Sequence, residues 1–301
     1  MAVLLIGGGG LLGKGIVKAF AERGQKIIVF SGHAPEKPVE GNIYYQGDVT
    51  EYGTLQNIMR QHDIDCVIHN AAISSPLLHK DNPYKVCRTN VQGTLTALEA
   101  AKTFGVKRFI YISSAAVYGA VDDPYVYVGT SKRYADSVYG ATKIACEELV
   151  RNYGLEETVS LRYGYIYGPG RTVTCPIRQV VLDVLKTGAA VRDQGAEQLQ
   201  DYLYVDDASR AVLAVYDAKT WPKHEYNIAS GHLYPFSEVI GVVAEEFPEA
   251  SLQIGRGTFG FTFQSAMDID PIKEDFGWIP ETEFSIGLKH YIQWLKETAE
   301  E

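Results

Sequence analysis

The first twenty residues constrain this chain most. Ala2–Ile6 is an apolar run of strand length, residues 7–10 are consecutive glycines, and Leu12, Ile16, Val17, Ala19 and Phe20 recur at helical spacing. A strand that turns through glycines into a helix is the opening unit of a parallel α/β sheet. The glycines fit two templates. Gly8, Gly13 and Lys14 spell most of a P-loop, whereas Gly8-x-Gly10-x-x-Gly13 or Gly7-x-x-Gly10-x-x-Gly13 spells a dinucleotide fingerprint. A P-loop needs Ser or Thr after its Lys to coordinate Mg²⁺, and here that position is Gly15. The dinucleotide template is complete: a strand before, a helix after, and glycines that let a pyrophosphate approach the helix N-terminus. Gly7, Gly10, Leu11, Leu12 and Gly13 are therefore the expected pyrophosphate cradle.

The alternation continues. Lys26–Phe30, Ile43–Gln46, the "CVIHNAA" run and "RFIYISS" read as strands, separated by helical segments at Leu55–Gln61 and Thr89–Phe104. Continuous apolar strands between helices indicate a doubly wound parallel sheet, a Rossmann fold, with ligands at the strands' C-terminal ends. Beyond about residue 165 the alternation loosens, with helices expected at Ile177–Lys186, Asp206–Ala218, Ser237–Glu246 and Ser285–Glu297. The division expected is a dinucleotide-binding domain over residues 1–165 and a smaller substrate lobe over 166–301, partly interleaved with the first.

Composition narrows the class. A net charge of −9 without a Lys/Arg run argues against nucleic acid as a partner. No apolar run approaches the roughly 20 residues that span a bilayer. The N-terminal run lacks the basic flank of a signal peptide. Four cysteines without a C-x-x-C pair suit reduced thiols, and the expected location is the cytoplasm. The seven histidines lack metal-ligand spacing, and His69, inside an apolar strand, reads as a hydrogen-bonded buried residue. No metal is expected.

Chemistry concentrates in two places. "SVYGATK" sets Tyr139 and Lys143 four residues apart on one helical face. Upstream, Ser113 and Ser114 end a buried strand. A phenol with an ordinary pKa near ~10 is a weak base at neutral pH, and a neighbouring ammonium lowers it. A serine hydroxyl can fix a substrate oxygen. Ser114, Tyr139 and Lys143 thus suit alcohol–ketone interconversion with a nicotinamide cofactor. Where an acid often ends the second strand to bind ribose hydroxyls, this chain has Ser31, with His33 and Lys37 nearby. That leans toward NADP(H), with NAD(H) left open.

In order, "GGGGLLG", "GDV" at 47–49, "VIHNAA" at 67–72, "TNVQGT" at 89–94, "ISSAAVYG" at 112–119 and "YGATK" at 139–143 form a series. It continues through "LRYGYIYGPG" at 161–170, "DYLYVDDASRA" at 201–211, "YNIASG" at 226–231 and "EDFGWIP" at 274–280. Over nearly its whole length the chain resembles the extended short-chain dehydrogenase/reductases of the epimerase/dehydratase type, similar to UDP-glucose 4-epimerase. The resemblance implies that Asp48 and Val49 contact adenine and that Ala71 and Ala72 line the cofactor through their backbone. It implies that Asn90 supports the site beside the cofactor and that Tyr163 and Gly164 lie near the nicotinamide carboxamide. Ser114, Ala115 and Tyr165 would meet the substrate. It also implies a homodimer built on the helices containing Asn90 and Tyr139. Family dehydratases carry Thr-Asp-Glu where this chain has Ser113-Ser114-Ala115, so elimination of water is disfavoured.

Two departures bear on the substrate. Tyr165 stands where nucleotide-sugar epimerases commonly place an Asn, and Gln200 where they place an Arg, both ligands of the substrate diphosphate. Arg171, Arg178, Arg192 and Arg256 are available as substitutes, and each also reads as a solvated or structural residue. The activity expected is an oxidoreductase or epimerase acting on a sugar hydroxyl, first as a nucleotide-sugar 4-epimerase or related ketoreductase. The alternatives are a dehydrogenase of a small polyol, sugar or sugar acid, and a non-catalytic dinucleotide sensor. "GTFGFTFQS" alternates as a half-buried strand does, and its Phe259, Phe261 and Phe263 could otherwise form a stacking wall with Tyr165 and Tyr167.

Overall fold

A computed structural model describes residues 2–35, 37–74 and 81–298. The first half contains β1 (Ala2–Ile6), α1 (Leu11–Glu22), β2 (Ile28–Ser31), β3 (Ile43–Gln46), α2 (Tyr52–Gln61), β4 (Ile64–His69), α3 (Pro83–Cys87), α4 (Gly93–Thr103), β5 (Arg108–Ser114), β6 (Tyr125–Val126) and α5 (Val138–Asn152). A π-helical turn, Arg88–Gln92, joins α3 to α4. Then follow β7 (Glu157–Tyr163), β8 (Tyr165–Tyr167), α6 (Pro176–Thr187), β9 (Ala189–Arg192), β10 (Leu199–Gln200), β11 (Tyr202–Tyr204) and α7 (Val205–Asp217). The chain ends through β12 (Glu225–Ile228), β13 (Tyr234–Pro235), α8 (Phe236–Glu246), β14 (Ser251–Ile254), β15 (Ala266–Met267), α9 (Asp270–Phe276) and α10 (Phe284–Thr298).

Seven strands form one parallel sheet in the order β12-β7-β5-β4-β1-β2-β3. The apolar runs are continuous because both faces are covered, and alternate residues serve opposite cores. Val3 and Leu5 of β1, Cys66 and Ile68 of β4, and Ile110 and Ile112 of β5 join the core roofed by α1 and α7. Leu4 and Ile6, Val67, and Phe109 and Tyr111 join the opposite core, under α2, α4 and α5. Strand order reverses between β1 and β4, which opens a crevice at the sheet's carboxyl edge. Strand β12 and helix α7 come from the second half of the chain yet complete and cover this sheet.

A third core, holding Tyr167, Val180, Tyr202, Phe236 and Tyr291, belongs to the smaller lobe around α6, α8 and α10. One expectation fails here. Residues 257–265 form an irregular loop, not a strand. Gly257 and Gly260 take positive φ, and the Phe259 and Phe261 amides donate to the Gln198 side chain at 3.1 and 3.3 Å, leaving them no ladder to join. Phe259 packs on Phe236, and Phe263 stacks on Tyr118. Among the described residues the four cysteines are free thiols, and no helix is long and apolar enough to cross a membrane.

Candidate active site

A cleft of about 1180 Å³ runs along the carboxyl edge of the sheet and under the smaller lobe. One end is the glycine turn between β1 and α1. Gly7 has φ +92°, and a Cβ there would lie 2.5 Å from the Ala71 amide nitrogen. A Cβ on Gly13 would strike the Gly7 carbonyl, whereas Gly10 faces open space. Helix α1 begins without a side-chain cap and without an acid in its first turn, so its first amides and the positive end of its dipole are available to an anion. The described residues therefore fit a dinucleotide. Gly15 is explained as well: a Cβ there would run into the Ser209 hydroxyl of α7, so the residue that a P-loop needs has no room.

Around this cradle, Gly7, Gly10, Leu11, Leu12, Ser31, Asp48, Val49, Ala71 and Ala72 all line the cleft. Asp48 accepts from the Thr50 amide and hydroxyl, both at 2.9 Å, which holds its carboxyl below the usual range. Asn70 fixes the turn from below by donating to the Gly7 carbonyl at 2.9 Å. Gly13 and Asn90 do not reach the cleft. Gly13 is buried where α1 meets the glycine turn. Asn90 is 1% exposed, accepts from the Ile73 amide at 2.8 Å and donates to Thr142 Oγ1 at 3.0 Å. It ties the loop after β4 to α5 and makes no surface for a cofactor, contrary to its expected place among the binding residues. Of the three groups that favoured a 2′-phosphate, Ser31 and His33 line the cleft and Lys37 is exposed outside it.

The other end holds the reactive side chains. Successive residues of a strand face opposite ways, so Ser113 and Ser114 separate. Ser113 donates to Glu147 Oε1 at 2.6 Å in the core. Ser114 accepts from the Ala116 amide at 3.2 Å and touches the phenol of Tyr139. Tyr139 and Lys143 are both buried on the inner face of α5, which Ser137 caps through the Gly140 amide at 3.1 Å. Lys143 Nζ donates to the Ile112 carbonyl at 2.6 Å and lies 4.7 Å from the Tyr111 ring centroid and 5.8 Å from that of Tyr139.

The electrostatics differ from the simple expectation. Burial pushes the Tyr139 phenol above its ordinary value, and contact with Ser114 recovers only part of that rise. Burial also draws the Lys143 ammonium down to about 8. The lysine sits beside the ring and bonds a carbonyl instead of the phenol oxygen, so in the protein alone burial dominates and the phenol stays above its ordinary value. Tyr139 is a proton donor in this state.

Ala115, Tyr163, Gly164 and Tyr165 also line the cleft. The Tyr163 hydroxyl turns away and donates to the Ala208 carbonyl at 2.9 Å. Two elements of the site escaped the sequence reading. The fully buried Glu147 pairs with Arg162, Nε to Oε1 at 2.8 Å and Nη2 to Oε2 at 2.7 Å, and Arg162 also reaches the Tyr118 hydroxyl at 3.0 Å. This pair joins α5 to β5 and β7 directly behind Lys143. An arginine inside the otherwise apolar "SLRY" run was the available signal, since a buried guanidinium demands a buried acid. Gly140 is the second: a Cβ there would lie 2.5 Å from the Ala116 carbonyl, so only glycine lets α5 approach Ser114 this closely.

Comparison with known proteins agrees with this architecture. The chain is 26% identical to dTDP-glucose 4,6-dehydratase of Escherichia coli, covering 100% of this chain and 95% of that protein. It is 28% identical to UDP-glucose 4-epimerase of Lacticaseibacillus casei, covering 93% and 92%. Among solved structures, UDP-glucose 4-epimerase of Thermotoga maritima with UDP-glucose superposes with a TM-score of 0.86 at 26% identity, over 99% of this chain and 100% of that one. The Thermus thermophilus UDP-glucose 4-epimerase complex with NAD gives 0.85 at 26% identity, over 98% and 99%. The model of the NAD dependent epimerase/dehydratase family matches residues 3–229, and the chain belongs to that family.

Proposed function

We propose that this protein oxidises a sugar hydroxyl to a ketone, and reduces it again, with NAD held along the cleft. The observation that carries this reading is the convergence of Ser114, Tyr139 and Lys143 at one end of a cleft whose other end is an uncapped helix N-terminus. NAD bound along the cleft would supply the hydride acceptor and donor for the carbinol carbon. Ser114 fixes the substrate oxygen. Tyr139, buried against Ser114, exchanges the hydroxyl proton with that oxygen, donating to the ketone in the reductive direction. Lys143 is near the middle of its titration around pH 8, so it gains or loses charge with little cost as the proton on Tyr139 moves.

NAD is preferred over the NADP to which Ser31 and His33 leaned. The family is described by NAD, and among the described residues of the β2–β3 segment no Lys or Arg lines the cleft. Reversible oxidation is preferred over dehydration because Ala115 supplies no acid beside Ser114. The relatives' nucleotide-sugar substrates support a nucleotide sugar and a 4-epimerase. One observation favours the second reading, net dehydrogenation of a smaller sugar or sugar acid: Gln200 is neutral, and its amide bonds the Phe263 carbonyl at 3.4 Å instead of facing a diphosphate. The proposal includes a homodimer, in which a second copy covers the outer face of α3, α4 and α5, where Tyr84 is 76% exposed and Ala141 and Ala145 face outward.

The test is a substrate panel with NAD, read by NADH absorbance and by NMR of the sugar. Tyr139→Phe is expected to lower kcat by about 10²–10⁴-fold with NAD affinity unchanged. Full activity in that variant overturns the assignment.

A further inference from the structure

Arg171 is a cation in search of a counter-charge. It enters the cleft from the turn after β8, where Gly168 and Gly170 take positive φ. Its position is fixed: Nη1 donates to the Ile166 carbonyl at 2.8 Å, its own carbonyl accepts from the Tyr291 hydroxyl at 2.9 Å, and its guanidinium lies 4.7 Å over the Tyr165 ring. Tyr165, Cys175 and Tyr291 act most strongly on its charge, no ion pair with a carboxylate is formed among the described residues, and its buried Nε finds no hydrogen-bond partner there. A guanidinium this buried is costly unless something pairs with it. Of the other candidate arginines two are paired and one, Arg178, also has a buried Nε without a hydrogen-bond partner among the described residues but lies outside the cleft. Arg192 pairs with Asp183 at 2.7 Å, and Arg256 is 95% exposed and pairs with Glu197 at 3.0 Å.

We propose that Arg171 recognises the substrate, and that this substrate is a small hydroxylated acid whose carboxylate docks on the guanidinium. The inference rests on the hydride-transfer reading above and names its substrate class. Arginine's planar fork matches one carboxylate through two parallel hydrogen bonds. A diphosphate is a poorer match. Among the described residues the cleft is lined by the cations Lys85, Lys143 and Arg171 and the acids Asp48, Asp136 and Asp201; from Ser113 onward, beyond the reacting group Lys143, Arg171 is the one cation beside Asp136 and Asp201. Asp201 already accepts from the Ser230 amide and hydroxyl and the Gly231 and Met267 amides, and Asp136 accepts from Thr262, so neither is poised to leave. One guanidinium neutralises one carboxylate, whereas a doubly charged group keeps a negative charge beside those two acids.

The experiment compares D-glucuronate, D-galacturonate and D-gluconate with D-glucose and UDP-glucose, using wild type, Arg171→Gln and Arg171→Lys with saturating NAD. The expected result is turnover of at least one acid in preference to D-glucose and UDP-glucose. For that acid, KM rises about 10- to 100-fold in Arg171→Gln, the Lys variant restores part of the loss, and kcat changes far less. NAD affinity, titrated by fluorescence, stays at the wild-type value, which excludes misfolding and pairing with the cofactor's own phosphates. Turnover of UDP-glucose with a KM indifferent to Arg171→Gln sinks this inference and leaves the hydride-transfer reading standing. Weakened NAD binding with an unchanged substrate KM also sinks it. If NAD binds and no member of the panel reacts, both fall together.

Discussion

His69 shows what a single buried residue can impose on the whole protein. It is fully buried in β4, shares a hydrogen bond at 3.0 Å with Thr94 Oγ1, and lies against the Phe109 and Tyr111 rings. Burial first, and the nearby Lys143 charge second, depress its pKa to about 3. Folded, it stays neutral; unfolded, it protonates near pH ~6.5. The unfolded chain therefore binds more protons between those values, and stability is lost as pH falls through that window. At pH 5 the loss from this group is about 2 kcal/mol. Denaturant titrations at pH 7.5 and pH 5 are expected to show it in wild type and to show a smaller drop in His69→Gln, which keeps a hydrogen-bonding side chain without the titration. At this scale the sequence spoke clearly for His69, an imidazole inside an apolar strand. It spoke misleadingly for Lys143, because helical spacing shows which side chains share a face and not which atom an ammonium bonds. Ser113 and Ser114 were inseparable as neighbours in a string and became different residues once strand alternation gave each a direction.

The elements depend on how closely they approach one another. Helix α5 sits near the loop after β5 because Gly140 has no side chain to meet the Ala116 carbonyl. Gly140→Ala is expected to push the helix outward and misplace Tyr139 relative to Ser114, lowering kcat by about 10²-fold with a small change in melting temperature. Unchanged kcat in a folded variant defeats that account. Element boundaries in the first half were legible because long apolar runs and helical periods each allow one solution: β3 and β5 fall on the residues that the pattern marked. The loop at 257–265 was misread because alternation of large and small residues is necessary for a strand and insufficient for one. Side-chain amides of Gln198 and Gln200 decide that backbone's partners, and they lie some sixty residues away. The Glu147–Arg162 pair was illegible for the same reason. Glu147 alone looks like one more charge on a helix, and only the crossing of α5 over β7 brings its partner within reach.

For the molecule as a whole, the proposed homodimer sets the outer face of α4 and α5 against a second copy. Leu95 is half-buried there, and Ala141 and Ala145 expose small side chains that admit a close helix–helix contact. Ala145→Arg is expected to convert a dimer into a monomer by light scattering, without altering NAD affinity. A monomeric wild-type protein removes the premise. The doubly wound architecture was readable from alternation alone. The way the smaller lobe closes over the cleft was not, since its strands come in two-stranded pairs too short for any periodicity to register.

Strand β12 closes the sheet's edge beside β7 only after residue 225 has been made. During synthesis, β7 must therefore wait on the ribosome with its outer backbone unpaired, an open template for aggregation, while the intervening chain emerges. A fragment ending near residue 165 inherits that defect permanently. Splitting this protein between its two expected halves would yield a sticky remnant and not a free-standing nucleotide binder.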